Sequence, residues 1–575
     1  MKEPKTFKLC LTLAGAVSAG AYTAGVMDYL LETLELWKLA KHQNRKLGID
    51  HPDYDHSIPM HDVEIEVLSG ASAGGITATL SLLSLVNPMH RPVNSDNPER
   101  SNNLFYDCWV QMADEPGLTT LEKMLQTDDL KPDMTPMSLL NSNAIEILAD
   151  KALRRPKTIN YPEYISEDLD LILTTTNLRG LNFKVDFDDL NHTGASHIIT
   201  SHGGFFRYKM ANTTFSRGIP EKKNALYYVL DLNSDQDLEY LRDATLSTAA
   251  FPIVLRSREV SISATYIERY PNYLFGKKKG ITPILPQHEK NYTFNSIDGG
   301  LINNEPYGIG LKVLKQKNPG LSNSDNYAVI MVDPFPNQDH EDIMPETENT
   351  IWNVAAGMFK ALRNQVMFNQ DGIMDALSLS DRTKFLIAPS KKINTGSKNI
   401  YSDHPLASAP LSGFAGFMEQ KFRNHDFELG RKNCQDFLRY HFTIKIENCE
   451  KRLGSIPVTM AIDRFEVSSP ARDPDGSKYF PIIPDLKLEK AFSARSKAEF
   501  GKDASLPYPE SQKINMHIIQ KRLQKPVRKR ISALVGSIGK NIWLTAAFRL
   551  VYLKRSSVKL FTMLQHELKR AGLLE

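Results

Sequence analysis

The stretch that decides the fold is Val63-Glu64-Ile65-Glu66-Val67-Leu68, followed at once by Ser69-Gly70-Ala71-Ser72-Ala73-Gly74-Gly75. The first part has the composition of a buried strand, and Ile76 to Val86 has that of a helix. A strand that runs through a small-residue turn into a helix is the context of the GxSxG nucleophile elbow. The pattern therefore predicts Ser72 as a nucleophile, and its alternative is a plain strand-to-helix turn.

Further strand and helix signals extend this unit in both directions. Strands are predicted at Lys8–Leu13, Leu169–Thr175 and Tyr327–Val332, and helices at about Ala21–Trp37, Thr350–Leu377 and His425–Phe442. Strands that alternate with helices predict an α/β fold with a mainly parallel sheet covered on both faces. Such sheets bind ligands at the carboxyl ends of their strands.

Two more motifs stand in a fixed order around the elbow. Leu13 to Val26 is rich in glycine and alanine, and Ser296-Ile297-Asp298-Gly299-Gly300-Leu301 contains a DGG sequence. Together with GASAGG, they resemble the oxyanion loop, the serine elbow and the DGG/DGA motif of patatin-like phospholipases. Arg242 to Pro252 resembles that family's helix with its Ala–Phe–Pro turn. The resemblance covers about residues 7–335.

The resemblance implies a three-layer α/β fold and a two-residue catalytic centre. Ser72 would be the nucleophile and Asp298 the general base, with an acyl-enzyme intermediate. The oxyanion hole would be formed by Gly15, Ala16, Val17 and Ala73, and the motif glycines would be Gly20, Gly70, Gly74, Gly299 and Gly300. The implied substrate is a lipid ester, most simply a glycerophospholipid, and no metal or cofactor is expected.

The oxyanion loop departs from the family pattern. The family has three consecutive glycines, one further residue and then a basic residue, where this chain has Gly15-Ala16-Val17-Ser18-Ala19. Backbone N–H groups stabilise an oxyanion whatever the side chain, but valine resists positive φ. The departure keeps open a second class of protein, one that retains the fold and binds lipid with little or no turnover.

A Ser–Asp–His triad of the α/β-hydrolase type is the chemical alternative. His340, His404 and His425 follow the elbow and are its candidate bases. The elbow follows only the second predicted strand, and the chain has no HGGG-type loop. Both features favour the Ser72–Asp298 dyad.

The chain beyond the first 340 residues is expected to form separate units. We predict a catalytic domain at 1–340, a mostly helical region or cap at 341–520 and a basic amphipathic segment at 521–575. The glycine- and aromatic-rich part from Leu411 to Cys434 resembles an extension of some bacterial patatin-like proteins. It is interpreted as a cap or packing module, with contact to an acyl chain or headgroup as the alternative.

The C-terminal segment carries most of the positive charge. Residues 521–575 include 13 Lys and Arg but only 2 acidic residues, so their net charge is +11. The net charge of the whole chain is only +3. With Trp543, Phe548 and Tyr552 beside these cations, the segment is predicted to bind an anionic membrane surface. The alternative is a helix packed on the body with a solvated basic face. No nucleic-acid motif accompanies the charge, so nucleic acid is not an expected partner.

The cysteines and the N-terminus bear on the compartment. Four scattered cysteines without CxxC spacing favour a reducing environment and exclude a disulfide framework. Leu9 to Met27 is uncharged after three lysines, as in a signal peptide, but its apolar part ends at Leu13. A cytoplasmic protein with a retained N-terminus, peripherally bound to membrane, is therefore expected.

Overall fold

The computed structural model describes residues 5–131, 135–154, 158–186, 196–220, 226–270, 281–285, 290–323, 326–336, 383–394, 399–468, 476–488, 504–538 and 557–575. Ten of the described strands form one mixed sheet: β1 (Phe7–Leu13), β2 (Val63–Gly70), β3 (Ile165–Asp186), β4 (Ser196–Met210), β5 (Tyr228–Leu230), β6 (Arg258–Ser263), β7 (Ile281–Pro283), β8 (Asn291–Asp298), β9 (Tyr327–Val332) and β10 (Lys384–Ile387). Five short strands lie outside it: β11 (Lys392–Asn394), β12 (Asn399–Tyr401), β13 (Thr443–Lys445), β14 (Val467–Ser468) and β15 (Lys478–Pro481).

The described helices are α1 (Gly20–Leu47), α2 (Ala73–Leu85), α3 (Leu104–Tyr106), α4 (Thr120–Met124), α5 (Asn143–Ala152), α6 (Asp235–Thr248), α7 (Ala264–Glu268), α8 (Tyr307–Lys317), α9 (Gln420–Tyr440), α10 (Cys449–Leu453), α11 (Thr459–Phe465), α12 (Met516–Ile538) and α13 (557–570). A π-helical turn, Asp107–Gln111, continues α3. The helix predicted at Thr350–Leu377 lies outside the described residues.

Helices cover both faces of the sheet. A Cβ on Gly310 of α8 would touch Cys10 and Thr12 of β1, so α8 lies against the face to which these side chains point. Leu11 and Leu13 alternate with them, point to the opposite face and are just as buried. From β10 through β9, β1 and β2 to β3, neighbouring strands are parallel. The predicted three-layer α/β fold with a mostly parallel sheet is confirmed.

The length of β3 explains how distant parts of the chain meet. One edge of β3 is paired with β4 along most of its length, and the other edge takes β2 and then β8. Because β2 runs parallel to β3 and β8 antiparallel, their carboxyl ends approach each other head-on. Gly70 pairs with Leu173, and Asp298 pairs with Thr175 two residues further on.

Described parts of the chain beyond residue 340 pack against the sheet and its helices. Strand β10 pairs with β9 and extends the sheet, and α9 packs along α1. A Cβ on Gly25 would lie 1.9 Å from the Phe427 carbonyl oxygen, and one on Gly430 2.1 Å from that of Tyr22, so both glycines permit a close approach of the two backbones.

Buried ion pairs reinforce the contact between α1 and α9. Arg431 of α9 pairs with Asp28 and Glu32 of α1, and Lys487 also reaches Glu32 at 2.7 Å. The three-unit division at residues 340 and 520 remains a prediction.

Candidate active site

The elbow has the conformation that its glycines predict. Ser72 lies between β2 and α2 at φ 52° and ψ −125°, a backbone strain of about 1–3 kcal/mol in a non-glycine residue. A Cβ on Gly74 would lie 2.1 Å from the Leu13 carbonyl oxygen, and one on Gly70 2.4 Å from that of Gly74. The Ser72 N–H donates to Thr248 Oγ1 at 3.0 Å, which fixes the turn against the end of α6.

Ser72 and Asp298 lie in direct contact. The Ser72 hydroxyl donates to Asp298 Oδ2 at 2.5 Å, and Oδ1 accepts from the Gly300 N–H at 2.7 Å. Both side chains are buried, Asp298 more deeply than Ser72. The close packing of Gly299 against Thr174 holds this turn on β3. An aspartate in this position can take the proton of the hydroxyl without any intermediate group.

The histidines that the triad alternative requires have other surroundings. His425 Nδ1 lies 2.9 Å from Asp426, and its Nε2 lies 2.9 Å from Lys391 Nζ. His404 is exposed, and His340 lies outside the described residues. Of the described histidines, neither His404 nor His425 contacts Ser72 or Asp298.

The oxyanion loop follows β1 and lies beside Ser72. A Cβ on Gly15 would be 2.8 Å from the Ser72 Cβ, so the loop touches the nucleophile. The Gly15 N–H donates to the Asn304 backbone carbonyl, and the Asn304 side-chain amide donates to the Gly15 carbonyl, each at 3.3 Å. The three N–H groups of Ala16, Val17 and Ala73 have no hydrogen-bond acceptor among the described residues.

Val17 adopts the conformation that valine disfavours. Its φ is 51°, and its side chain lines the cavity beside Ser72. Ala19, at the family's basic position, is buried, and a Cβ on Gly20 would overlap the Trp109 ring. The loop thus keeps a glycine-like backbone path with a β-branched side chain, at a cost in strain.

Ser72 is one of the residues that line an apolar cavity. Side chains of α2, α5, α6 and the π-helical turn line it, among them Leu80, Leu148 and Leu246. Phe251, in the Ala–Phe–Pro turn, and Phe414 complete the wall. Its surface is almost wholly apolar, which is the surface chemistry that a hydrocarbon chain requires.

A buried carboxyl lies behind the oxyanion loop. Asp333 follows β9, and the preceding Val332 carbonyl accepts from the Ala14 N–H at 2.9 Å. Burial raises the pKa of Asp333 to about 6, the Phe335 N–H opposes the rise, and the nearby Glu305 adds to it. Burial also raises the pKa of Glu305.

Sequence reasoning missed several residues that build the site. Thr248 and Asn304 were not singled out, and contact of the 411–417 segment with an acyl chain was only the alternative to a cap or packing module. Thr248 lies in the recognised Arg242–Pro252 helix, and Asn304 closely follows the DGG sequence, so proximity to motifs was an available signal. Nothing in the local sequence of 411–417 indicates its place beside Ser72.

The described part of the basic segment packs on the body. Ile519, Leu523 and Val527 of α12 are buried, and Arg530 forms an ion pair with Asp129 and donates to the Leu139 carbonyl. Lys521, Lys525 and Lys529 are exposed and lie on one helical face at intervals of four residues. Trp543, Phe548 and Tyr552 lie outside the described residues.

Two features are absent from the described ranges. These ranges contain no cluster of three or more His, Cys, Asp or Glu residues that could hold a metal ion. No helix within them is long and apolar enough to cross a membrane.

Fold and site together define a three-layer α/β protein whose serine, at a strand-to-helix turn, is hydrogen-bonded to an aspartate beside an apolar cavity. Residues 11–311 match the family described as patatin-like phospholipase. Since the match spans more than half of the sequence, the chain belongs to the patatin-like phospholipase family. Membership places it among lipid acyl hydrolases in general.

Two individual proteins are similar to this chain. The uncharacterized protein y4iI of Sinorhizobium fredii is 29% identical over 517 residues, which cover 83% of this chain and 70% of that protein. The crystal structure of VipD from Legionella pneumophila aligns with 98% of this chain and 88% of its own, at 11% identity and a TM-score of 0.20.

Proposed function

We propose that the protein is a serine acyl hydrolase that cleaves a long-chain acyl ester of a glycerophospholipid. The observation that carries the proposal is the 2.5 Å hydrogen bond from Ser72 Oγ to Asp298 Oδ2 beside an apolar cavity that Ser72 lines. A hydroxyl held on a carboxylate has a base in place for its proton, and the cavity offers an acyl chain a non-aqueous site.

The reaction has two acyl-transfer steps. Asp298 takes the proton as Ser72 Oγ attacks the ester carbonyl, and the N–H groups of Ala16, Val17 and Ala73 donate to the oxyanion. The tetrahedral intermediate collapses, Asp298 returns the proton to the departing alcohol, and Ser72 holds the acyl group as an ester. Water then attacks this ester with Asp298 as base, which releases the fatty acid and restores the hydroxyl.

The direct test is hydrolysis of phosphatidylcholine and phosphatidylglycerol vesicles by the purified full chain. We expect release of free fatty acid by the wild type and none above background by Ser72→Ala. Activity on lipid that survives Ser72→Ala contradicts the proposal. A wild type that binds vesicles without hydrolysing any acyl ester supports the lipid-binding alternative instead.

We also propose that the basic segment holds the enzyme, as a peripheral cytoplasmic protein, on anionic membranes. The exposed row of Lys521, Lys525 and Lys529 supports this assignment, since each cation near an anionic surface contributes about 1 kcal/mol. Truncation after Gln520 is not a clean test because Leu523 and Val527 belong to a buried cluster.

Charge substitution leaves that cluster in place. Lys521→Gln, Lys525→Gln and Lys529→Gln together are expected to weaken binding to phosphatidylglycerol vesicles at least about tenfold. The same three-charge change at the scattered exposed Lys46, Lys315 and Lys392 is the control. Equal weakening by both triple variants contradicts a docking face on α12.

A further inference from the structure

The segment 411–417 lies outside the residues that match the family, yet it contacts the oxyanion loop directly. The Gly413 carbonyl oxygen accepts hydrogen bonds from both the N–H and the hydroxyl of Ser18, the N–H bond being 3.1 Å long. A Cβ on Gly413 would lie 3.0 Å from the Ala16 carbonyl oxygen and 3.3 Å from the Val17 Cβ. Gly413 is thus seated against the three loop residues that follow Gly15.

The backbone of this segment is bent by three consecutive left-handed residues. Leu411, Ser412 and Gly413 have φ values of 57°, 54° and 91°. Two of the three are not glycine, and each costs about 1–3 kcal/mol in strain. Such strain persists only where surrounding contacts determine the conformation.

A buried arginine supplies one of those contacts. Arg423 of α9 donates to the Gly416 carbonyl at 2.5 Å and to the Val110 carbonyl at 2.9 Å, and it pairs with Asp114 at 2.6 Å. Val110 belongs to the π-helical turn that forms another wall of the cavity. Through these hydrogen bonds, Arg423 fixes segment 411–417 relative to the π-helical turn.

The segment also supplies part of the cavity surface. The rings of Phe414 and Phe251 meet edge to face with centroids 5.6 Å apart, and those of Phe414 and Phe417 are 5.7 Å apart. All three line the cavity beside Ser72. Phe414 is only partly buried, so its side chain can be changed without removing a core residue.

We propose that segment 411–417 is the missing part of the active site: Gly413 positions the oxyanion loop through Ser18, and Phe414 helps to select the acyl chain. The loop lacks two of the three consecutive glycines and the basic residue of the family pattern, and this clamp holds Val17 at φ 51° in their place. The inference rests on the proposed acyl hydrolase function and assigns a positioning role to residues 18 and 413.

The test compares Gly413→Ala with Gly476→Ala, because Gly476 also has positive φ (77°) but nothing within 4 Å of an added Cβ. Gly413→Ala is expected to lower kcat on a soluble butyrate ester at least about tenfold with KM nearly unchanged, since a displaced oxyanion donor costs transition-state stabilisation. Hydrogen exchange of amides 15–19 should accelerate in Gly413→Ala and remain at the wild-type rate in Gly476→Ala.

Two further variants keep the test decisive. Ser18→Ala removes the hydroxyl's hydrogen bond to the Gly413 carbonyl and keeps that of the N–H. It should lower kcat and accelerate exchange of amides 15–19 by smaller amounts than Gly413→Ala. This variant tests the clamp if Gly413→Ala does not fold. Phe414→Ala should change the ratio of kcat/KM for palmitate and butyrate esters at least about fivefold, since one or two buried methylene contacts have that effect.

The outcomes separate this inference from the proposed function. Unchanged kcat and unchanged exchange of amides 15–19 in folded Gly413→Ala and Ser18→Ala overturn the clamp while the hydrolase function stands. If exchange of amides 15–19 accelerates in these variants but the wild type hydrolyses no ester, the clamp stands and the proposed hydrolase function is wrong. A constant palmitate-to-butyrate ratio in Phe414→Ala overturns the selectivity role.

Discussion

The two halves of the site are built in different ways. The nucleophile half, Ser72 and Asp298, stands on two strands that meet head-on along β3, and short motifs define it. The oxyanion half, residues 15–19, departs from the family pattern and is held by Asn304 and by Gly413, some four hundred residues away in sequence. The difference teaches that a departure from a motif can be compensated by tertiary contacts from outside the matched domain.

The largest expected effect tests the nucleophile half. Ser72→Ala and Asp298→Asn should each lower kcat/KM on a soluble ester at least about a thousandfold, and the double variant should be no worse, because the two residues act as a unit. The amide oxygen introduced by Asp298→Asn can still accept from the Gly300 N–H, so we expect melting temperatures close to that of the wild type. A histidine variant that matches this loss while Asp298→Asn remains active would show that a triad operates.

A smaller effect is expected where the elbow is fastened. Thr248→Val removes the acceptor of the Ser72 N–H and leaves a buried donor unpaired, which costs about 1–3 kcal/mol. We expect a lower melting temperature by that measure, and a kcat about tenfold lower because the elbow no longer holds Ser72 Oγ in position. Thr248→Ser retains the hydroxyl and serves as the control; equal losses in both variants contradict a role for this hydrogen bond.

How far the sequence predicts the site follows the same division. The strand–glycine–helix pattern predicted Ser72 from local chain geometry, and the resemblance to the family implied Asp298. The cavity wall at Phe414 and the clamp at Gly413 depend on how α9 packs on α1, which no short pattern encodes. Because a β-branched side chain disfavours positive φ, the sequence predicted backbone strain at Val17. It did not show which tertiary contacts hold Val17 in that conformation.

The strain itself is measurable in the oxyanion half. At ordinary positions Ala is more stable than Gly, but at φ 51° Gly avoids a penalty of about 1–2 kcal/mol that Ala retains. We expect the free energy of unfolding of Val17→Gly to exceed that of Val17→Ala by about 1 kcal/mol, as measured by denaturant unfolding. The opposite order would mean that Val17 does not have this backbone conformation in solution.

A pH-dependent effect on stability is expected at Asp333 behind the same loop. Its folded-state pKa of about 6 lies above the unfolded value of about 3.9, so folding takes up a proton between these values and stability falls as pH rises through about 6. Asp333→Asn should therefore stabilise the protein at pH 7.5, by on the order of 2 kcal/mol, and the gain should disappear near pH 4. A gain that is independent of pH would contradict a buried ionised carboxylate.

The central claim is that Ser72 is an activated nucleophile whose base is Asp298. A fluorophosphonate probe measures this most directly, because it forms a covalent adduct with an activated serine and leaves an ordinary one unmodified. We expect a single adduct at Ser72 by peptide mass spectrometry in the wild type, no adduct in Ser72→Ala and labelling slowed at least about a hundredfold in Asp298→Asn. An adduct at another serine, or labelling of Ser72 at the wild-type rate in Asp298→Asn, would contradict the dyad.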